Sequence, residues 1–225
     1  MDQGQNNILR FALLLMLCSL HYSLYSQNVF SVERISVSEF ENAKSEFDQN
    51  NAAIVTPSEY NDVVNQVLQN ARQSFESLPP LRKTEILEEI GEDLGFDMDH
   101  MLFIPDWNMY GFLLPTIFDA IIWWYDGTSG KRIGDTESTP IAANVNGIYV
   151  SQISHDCDWT LDLHFCRRGA EYLYEFATFC DKRFNGEYQL LIENTFWGND
   201  NTLYLHTYDY DASQDCYLRI RLSIE

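Results

Sequence analysis

Positive charge is what this sequence has least of. Lysine and arginine together number 14 against 34 aspartates and glutamates, a formal charge of −20. Nucleic acids and anionic membrane surfaces are held by basic patches, so the composition argues against both as partners. It leaves a cationic partner, bound calcium, or plain solubility as the use of the charge. The common catalytic signatures are missing too. There is no His-Glu-x-x-His and no Gly-x-Ser-x-Gly. Gly127-Thr128-Ser129-Gly130-Lys131 falls short of a phosphate loop. Tyr125 stands where the first glycine belongs, and Arg132 follows the lysine in place of a hydroxyl residue. It reads as a surface turn. No Asn-x-Ser/Thr acceptor occurs either, which tilts the reading toward a bacterial periplasm or cell exterior.

Long uninterrupted apolar runs are also scarce. Phe11 to Leu20, preceded by Arg10 and followed by small Ser26, has the length of a secretory h-region and is too short for a membrane span of about 20 residues. Residues 1–26 are therefore expected to be a signal peptide, and the mature chain to be exported, periplasmic or extracellular. Met101 to Tyr125 is the most apolar later stretch. Pro105, Asp106, Pro115 and Asp119 interrupt it, so no membrane span is expected in the mature chain.

What is present points to α+β. Residues 27–55 form a polar N-terminal segment, with a short strand over Val29 to Val37. Residues 56–225 are expected to be a single domain, helical over 56–126 and β over 144–225. Thr56-Pro57-Ser58-Glu59 is a capping box that opens a helix. Its apolar stripe runs through Tyr60, Val63, Val64, Val67, Leu68, Ala71 and Phe75. Pro79-Pro80 ends it, and a second helix follows over Leu81 to Leu94. Pro115 is expected to start a third, buried helix through Trp123, Trp124 and Tyr125.

The last third reads as about six strands. Leu218, Ile220, Leu222 and Ile224 alternate with Tyr217, Arg219, Arg221 and Ser223. Trp159, Leu161, Leu163 and Phe165 alternate with Asp158, Thr160, Asp162 and His164. Alternation with period two marks strands with one buried face. Asn185-Gly186, Arg168-Gly169 and Gly198 to Asn201 supply tight turns. The expected architecture is N-terminal helices packed on a C-terminal antiparallel meander, as an open sheet or a small barrel.

Four cysteines follow the leader, and export permits disulfides. A turn at Arg168-Gly169 would set Cys157 opposite Cys180, predicting a Cys157–Cys180 bridge and arguing against pairing of Cys166 with Cys216.

Three functions compete. The leading expectation is an exported, acidic, non-catalytic binding protein, an inhibitor or immunity-type protein for a basic partner. Its docking surface would be the run Glu85, Glu88, Glu89, Glu92, Asp93, Asp97 and Asp99. A carbohydrate- or calcium-binding module would use Tyr204, Tyr208 and Tyr210, with Asp209, Asp211, Ser213 and Asp215 offering oxygens at alternate positions to calcium. A hydrolase would need a carboxylate pair, such as Asp158 and Asp162, brought into a cleft. No catalytic residue and no other cofactor is assigned.

Overall fold

The computed structural model describes residues 30–90, 94–115, 120–153, 161–169, 171–181, 194–198, 201–209 and 213–223. Among them are three α-helices: α1 (Val37–Phe47), α2 (Asp62–Glu76) and α3 (Pro80–Ile90). The strands are β1 (Phe30–Ile35), β2 (Asn51–Ala52), β3 (Met101–Ile104), β4 (Met109–Pro115), β5 (Ala120–Asp126), β6 (Arg132–Glu137), β7 (Pro140–Asn144), β8 (Ile148–Ile153), β9 (Leu161–Arg168), β10 (Leu173–Asp181), β11 (Phe196–Trp197), β12 (Thr202–Asp209) and β13 (Gln214–Leu222). The protein is mixed helix and sheet, mostly strand. Every pairing is antiparallel, and no sheet closes into a barrel among the described residues.

Among the described residues three sheets form in place of one meander. A front sheet runs β3-β4-β5-β6, a middle sheet β10-β9-β8-β7-β2, and a back sheet β1-β13-β12-β11. Their side chains place them in layers. Helices α2 and α3 cover the outer face of the front sheet, through Val64, Val67, Ala71, Phe75 and Ile86 against Phe112, Leu114, Trp123 and Tyr125. The inner face of the front sheet meets the middle sheet, with Ile104, Met109, Ile122 and Trp124 against Ala143, Tyr149, Cys166 and Leu173. The opposite face of the middle sheet meets the back sheet, with Val150, Leu163 and Phe165 against Leu203, Leu205, Leu218 and Ile220. Helix α1 closes the far side, packing Phe40 and Ala43 on Phe196 and Tyr204.

This layering corrects the helix expected from Pro115. The segment is a hairpin, with Phe112 opposite Trp123 and Leu113 opposite Ile122. Trp123 and Tyr125 enter the helix-side core while Ile122 and Trp124 enter the sheet-side core. A strand buried on both faces carries no polar residue to mark its period, so its apolar run resembles a buried helix.

Helix α2 also starts later than the Thr56 capping box. Val55 donates its N–H to the Phe103 carbonyl at 2.9 Å and accepts the Phe103 N–H in return, which holds this stretch extended beside β3. Asn61 becomes the cap, its Oδ1 accepting the Val64 N–H at 2.9 Å. Of the expected apolar stripe, Val64, Val67, Leu68, Ala71 and Phe75 are buried, Val63 is half-buried, and Tyr60, ahead of the cap, is exposed.

Candidate functional site

The acidic run divides once placed. On α3, Glu85 pairs with Arg82 at 3.0 Å, while Glu88 is exposed. Asp97 caps the 3₁₀ turn Met98–His100. It accepts the Asp99 N–H at 3.1 Å and lies 3.0 Å from His100 Nδ1. The hydrogen bond from His100 holds the Asp97 carboxyl below its ordinary range. Asp99 is exposed. The Glu89 side chain, Glu92 and Asp93 lie outside the described residues. Two of the seven expected docking acids are thus committed within the chain and two are open. The lysine at the start of α3 is also explained. Lys83 reaches back to α2, where its Nζ bonds the Glu76 carbonyl and sits 3.0 Å from the Glu76 carboxylate. A cation that is misplaced for one helix dipole completes the C-terminus of the other.

The candidate calcium set is only partly described. The Asp209 side chain and Asp211 lie outside the described residues. Ser213 is exposed with φ +51, and Asp215 is exposed with Oδ1 3.2 Å from His206 Nε2. His206 stacks on Tyr217 with ring centroids 4.5 Å apart. Burial, then Asp215 and Glu41 nearby, push the Tyr217 phenol up. On the other side of the imidazole, Asn194 Nδ2 lies 3.1 Å from His206 Nδ1, while Asn194 Oδ1 accepts from Lys44 Nζ at 3.3 Å. With its carbonyl turned to Lys44, Asn194 offers N–H to Nδ1. In this arrangement Nδ1 is the acceptor, while Nε2 is buried with no hydrogen bond of its own. Among the described residues no group of three or more His, Cys, Asp or Glu side chains is placed to hold a metal ion. Tyr204, expected as an exposed aromatic, is buried against Phe196, with centroids 4.9 Å apart.

The β9–β10 hairpin pairs Cys180 with Asp162. The register is therefore offset from the one that would face Cys180 with Cys157, and Cys157 lies outside the described residues. Cys166 and Cys216 are buried in different cores. Burial pushes the Cys166 thiol up to about 12, against a smaller lowering by its hydrogen bond with Tyr149, so it is a poor nucleophile.

Among the described residues the carboxyls with clear shifts are lowered. Arg219 holds Glu33 down. Burial raises Asp126, but bonds from Ser129 N–H, its hydroxyl and Thr128 N–H, with the charge of Arg168, outweigh it. These bonds order the Gly127 to Lys131 loop as a hairpin turn, with Gly130 at φ +64.

One groove of about 320 Å³ lies between the end of α1, β2, β7 and β11, lined by Lys44, Asp48, Asn51, Ile54, Ile141, Thr195 and Phe196 among others. Its walls are fixed by Asn51. The Asn51 side chain accepts the Trp197 N–H at 2.7 Å and donates to the Phe47 and Trp197 carbonyls, each at 3.1 Å. One amide thereby ties the edge of the middle sheet to the edge of the back sheet and to the end of α1. The Thr195 hydroxyl oxygen is buried without a hydrogen-bond partner. No motif announces this groove, because its residues come from opposite ends of the chain. A smaller groove of about 280 Å³ runs along α2, lined by Tyr60, Asn65, Leu68, Gln69, Arg72 and Phe96. Here the Arg72 guanidinium lies 5.3 Å from the centre of the Phe96 ring.

The class these features define is an acidic, layered α+β protein with open grooves. Among the described residues no helix is long and apolar enough to cross a membrane. Comparison with protein-family models, with curated proteins and with solved structures finds no match.

Proposed function

We propose that the chain is an exported, non-catalytic binding protein that engages a cationic protein through its exposed carboxylates, in the manner of an inhibitor or immunity-type protein. The observation that carries this reading is the surplus of carboxylate. With 34 acids and 14 bases, carboxylates remain without a cation even if every base pairs once. Glu88 and Asp99, exposed and close to the committed acids Glu85 and Asp97, make this part of the surface the proposed contact. Two further observations support it. Among the described residues the shifted carboxyls are lowered, whereas a general acid needs a carboxyl raised so that it keeps its proton. The Cys166 thiol is held far from the range of an active nucleophile.

The test compares the intact protein with a variant carrying Glu88→Gln and Asp99→Asn. Each is immobilised and exposed to the proteins exported with it. The reading expects one cationic protein to be retained by the natural chain, released by salt, and lost from the variant. Complex formation between the purified pair should then show a salt-dependent on-rate. Retention of no cationic protein, or equal retention by the variant, would refute it.

A further inference from the structure

The groove beside the end of α1 holds two charges that do not meet. Lys44 and Asp48 are four residues apart, a spacing at which opposite charges on a helix can pair. No ion pair joins Lys44 to Asp48 or to any other described carboxylate. Two features separate them. Lys44 is drawn toward Asn194 Oδ1 at 3.3 Å, and the chain tightens from α1 into the 3₁₀ turn Asp48–Asn50. Both residues nevertheless line the same cavity, and Thr195 lines it beside them.

We propose that this groove binds a small zwitterion, an α-amino acid, with its carboxylate toward Lys44 and its ammonium toward Asp48. Ile54, Ile141 and Phe196 form an apolar wall for the side chain, which selects an aliphatic amino acid. The size agrees, since about 320 Å³ is at the small end of ligand cavities. The charge agrees as well. A molecule with no net charge is neither attracted nor repelled at long range by a protein of charge −20, so short-range geometry decides the binding. The Asn51 bonds that join the two sheet edges keep the site preformed. The proposal is independent of the cationic partner, whose proposed contact is on α3 and the turn after it.

The test uses the intact protein and the twenty L-amino acids as individual probes at about 10 mM, read by thermal melting and then by titration calorimetry. At least one aliphatic amino acid should raise the melting temperature. Its N-acetyl amide, which lacks both charges, should not. Lys44→Met and Asp48→Asn should each weaken binding by about tenfold or more. Asp48 is exposed, so its substitution leaves the unliganded fold intact and keeps the test valid even if Lys44→Met misfolds. No shift with any amino acid would overturn the proposal, and so would binding that survives Asp48→Asn.

Discussion

Asp126 shows how one side chain can organise a turn and join two sheets. Its Oδ1 accepts from Thr128 N–H, Ser129 N–H and the Ser129 hydroxyl at 3.1, 2.8 and 2.9 Å, and its Oδ2 takes Arg168 Nη2 at 2.9 Å. The turn belongs to the front sheet and Arg168 to the middle sheet. Because its folded pKa is depressed, the stability contributed by Asp126 is present above the unfolded value of about 4 and is lost as pH falls through the lower folded value. Asp126→Asn is therefore expected to cost about 1–2 kcal/mol at pH 7. The gap from the natural chain should narrow as pH falls below about 4 and through the lowered folded value, where the natural side chain also loses its charge. Urea unfolding of both proteins at pH 7 and pH 3 measures this, and taking the difference between the two cancels the titration of every other acid. The cysteines make a second prediction at this scale. Cys166 in the native protein should resist alkylation at pH 8, where a thiol of pKa about 12 is almost wholly protonated, and should react after unfolding. The same peptide map, run without reductant, tests the Cys157–Cys180 bridge. Recovery of either peptide with a free thiol would exclude it.

Strand β5 is the element on which two cores depend. Trp124 is 0 % exposed, packs at 5.6 Å from Tyr149 across the sheet interface and donates its indole N–H to Thr136 Oγ1 at 2.8 Å. Trp124→Ala should cost about 3–5 kcal/mol, a large share of a domain's total stability. Denaturant midpoints check this, and a cost below about 1 kcal/mol would mean that the two sheets do not pack as described. Gly111 lies opposite Trp124 on β4, and a Cβ there would come within 2.8 Å of Ile122 Cγ2 and 2.9 Å of Trp124 Cζ3. Gly111→Ala should destabilise by about 1–3 kcal/mol through overpacking, with the same assay. These elements also mark what the residue order discloses. Helix α2 was legible because it buries one stripe and leaves Asn65, Gln69 and Arg72 toward water. Strands β9 and β13 were legible from alternation, through Leu163 and Phe165 in the one and Leu218, Ile220 and Leu222 in the other. Strand β5 was not, because burial on both faces erases its period. Nor was the division of the last third into two sheets. Leu163 and Leu218 alternate alike, and nothing in that period says that they face each other across a core instead of lying side by side in one sheet. The groove was hidden for a related reason: the Asn51–Trp197 bonds that build it span 146 positions.

At the scale of the whole molecule the net charge of −20 sets two electrostatic effects against each other. Self-repulsion among uncompensated carboxylates destabilises the compact state, and salt screens it. Salt also weakens the ion pairs. Arg82–Glu85 and Arg132–Asp135 are largely exposed, and pairs of this kind contribute about 0–1 kcal/mol each. Arg219, which clamps Glu33 and Glu39 from β1 and α1, is shielded at its guanidinium, with 17 % of its side chain exposed, and loses less to screening. The attractive losses are therefore few and small, while the repulsive gain draws on a surplus spread over the surface. Raising sodium chloride from about 0.01 to 0.5 M shrinks the screening length from about 30 Å to roughly 4 Å. The melting temperature should rise by a few degrees, about what 1 kcal/mol is worth in a chain of this size. Glu41 and Glu46, exposed on α1, localise the effect. Replacing both with glutamine should stabilise the protein at low salt and leave a smaller rise on adding salt. A melting temperature that falls with salt would mean that ion pairs outweigh repulsion. The surface carboxylates would then be largely committed within the chain, and the proposal of a cationic partner would lose the free charge it requires.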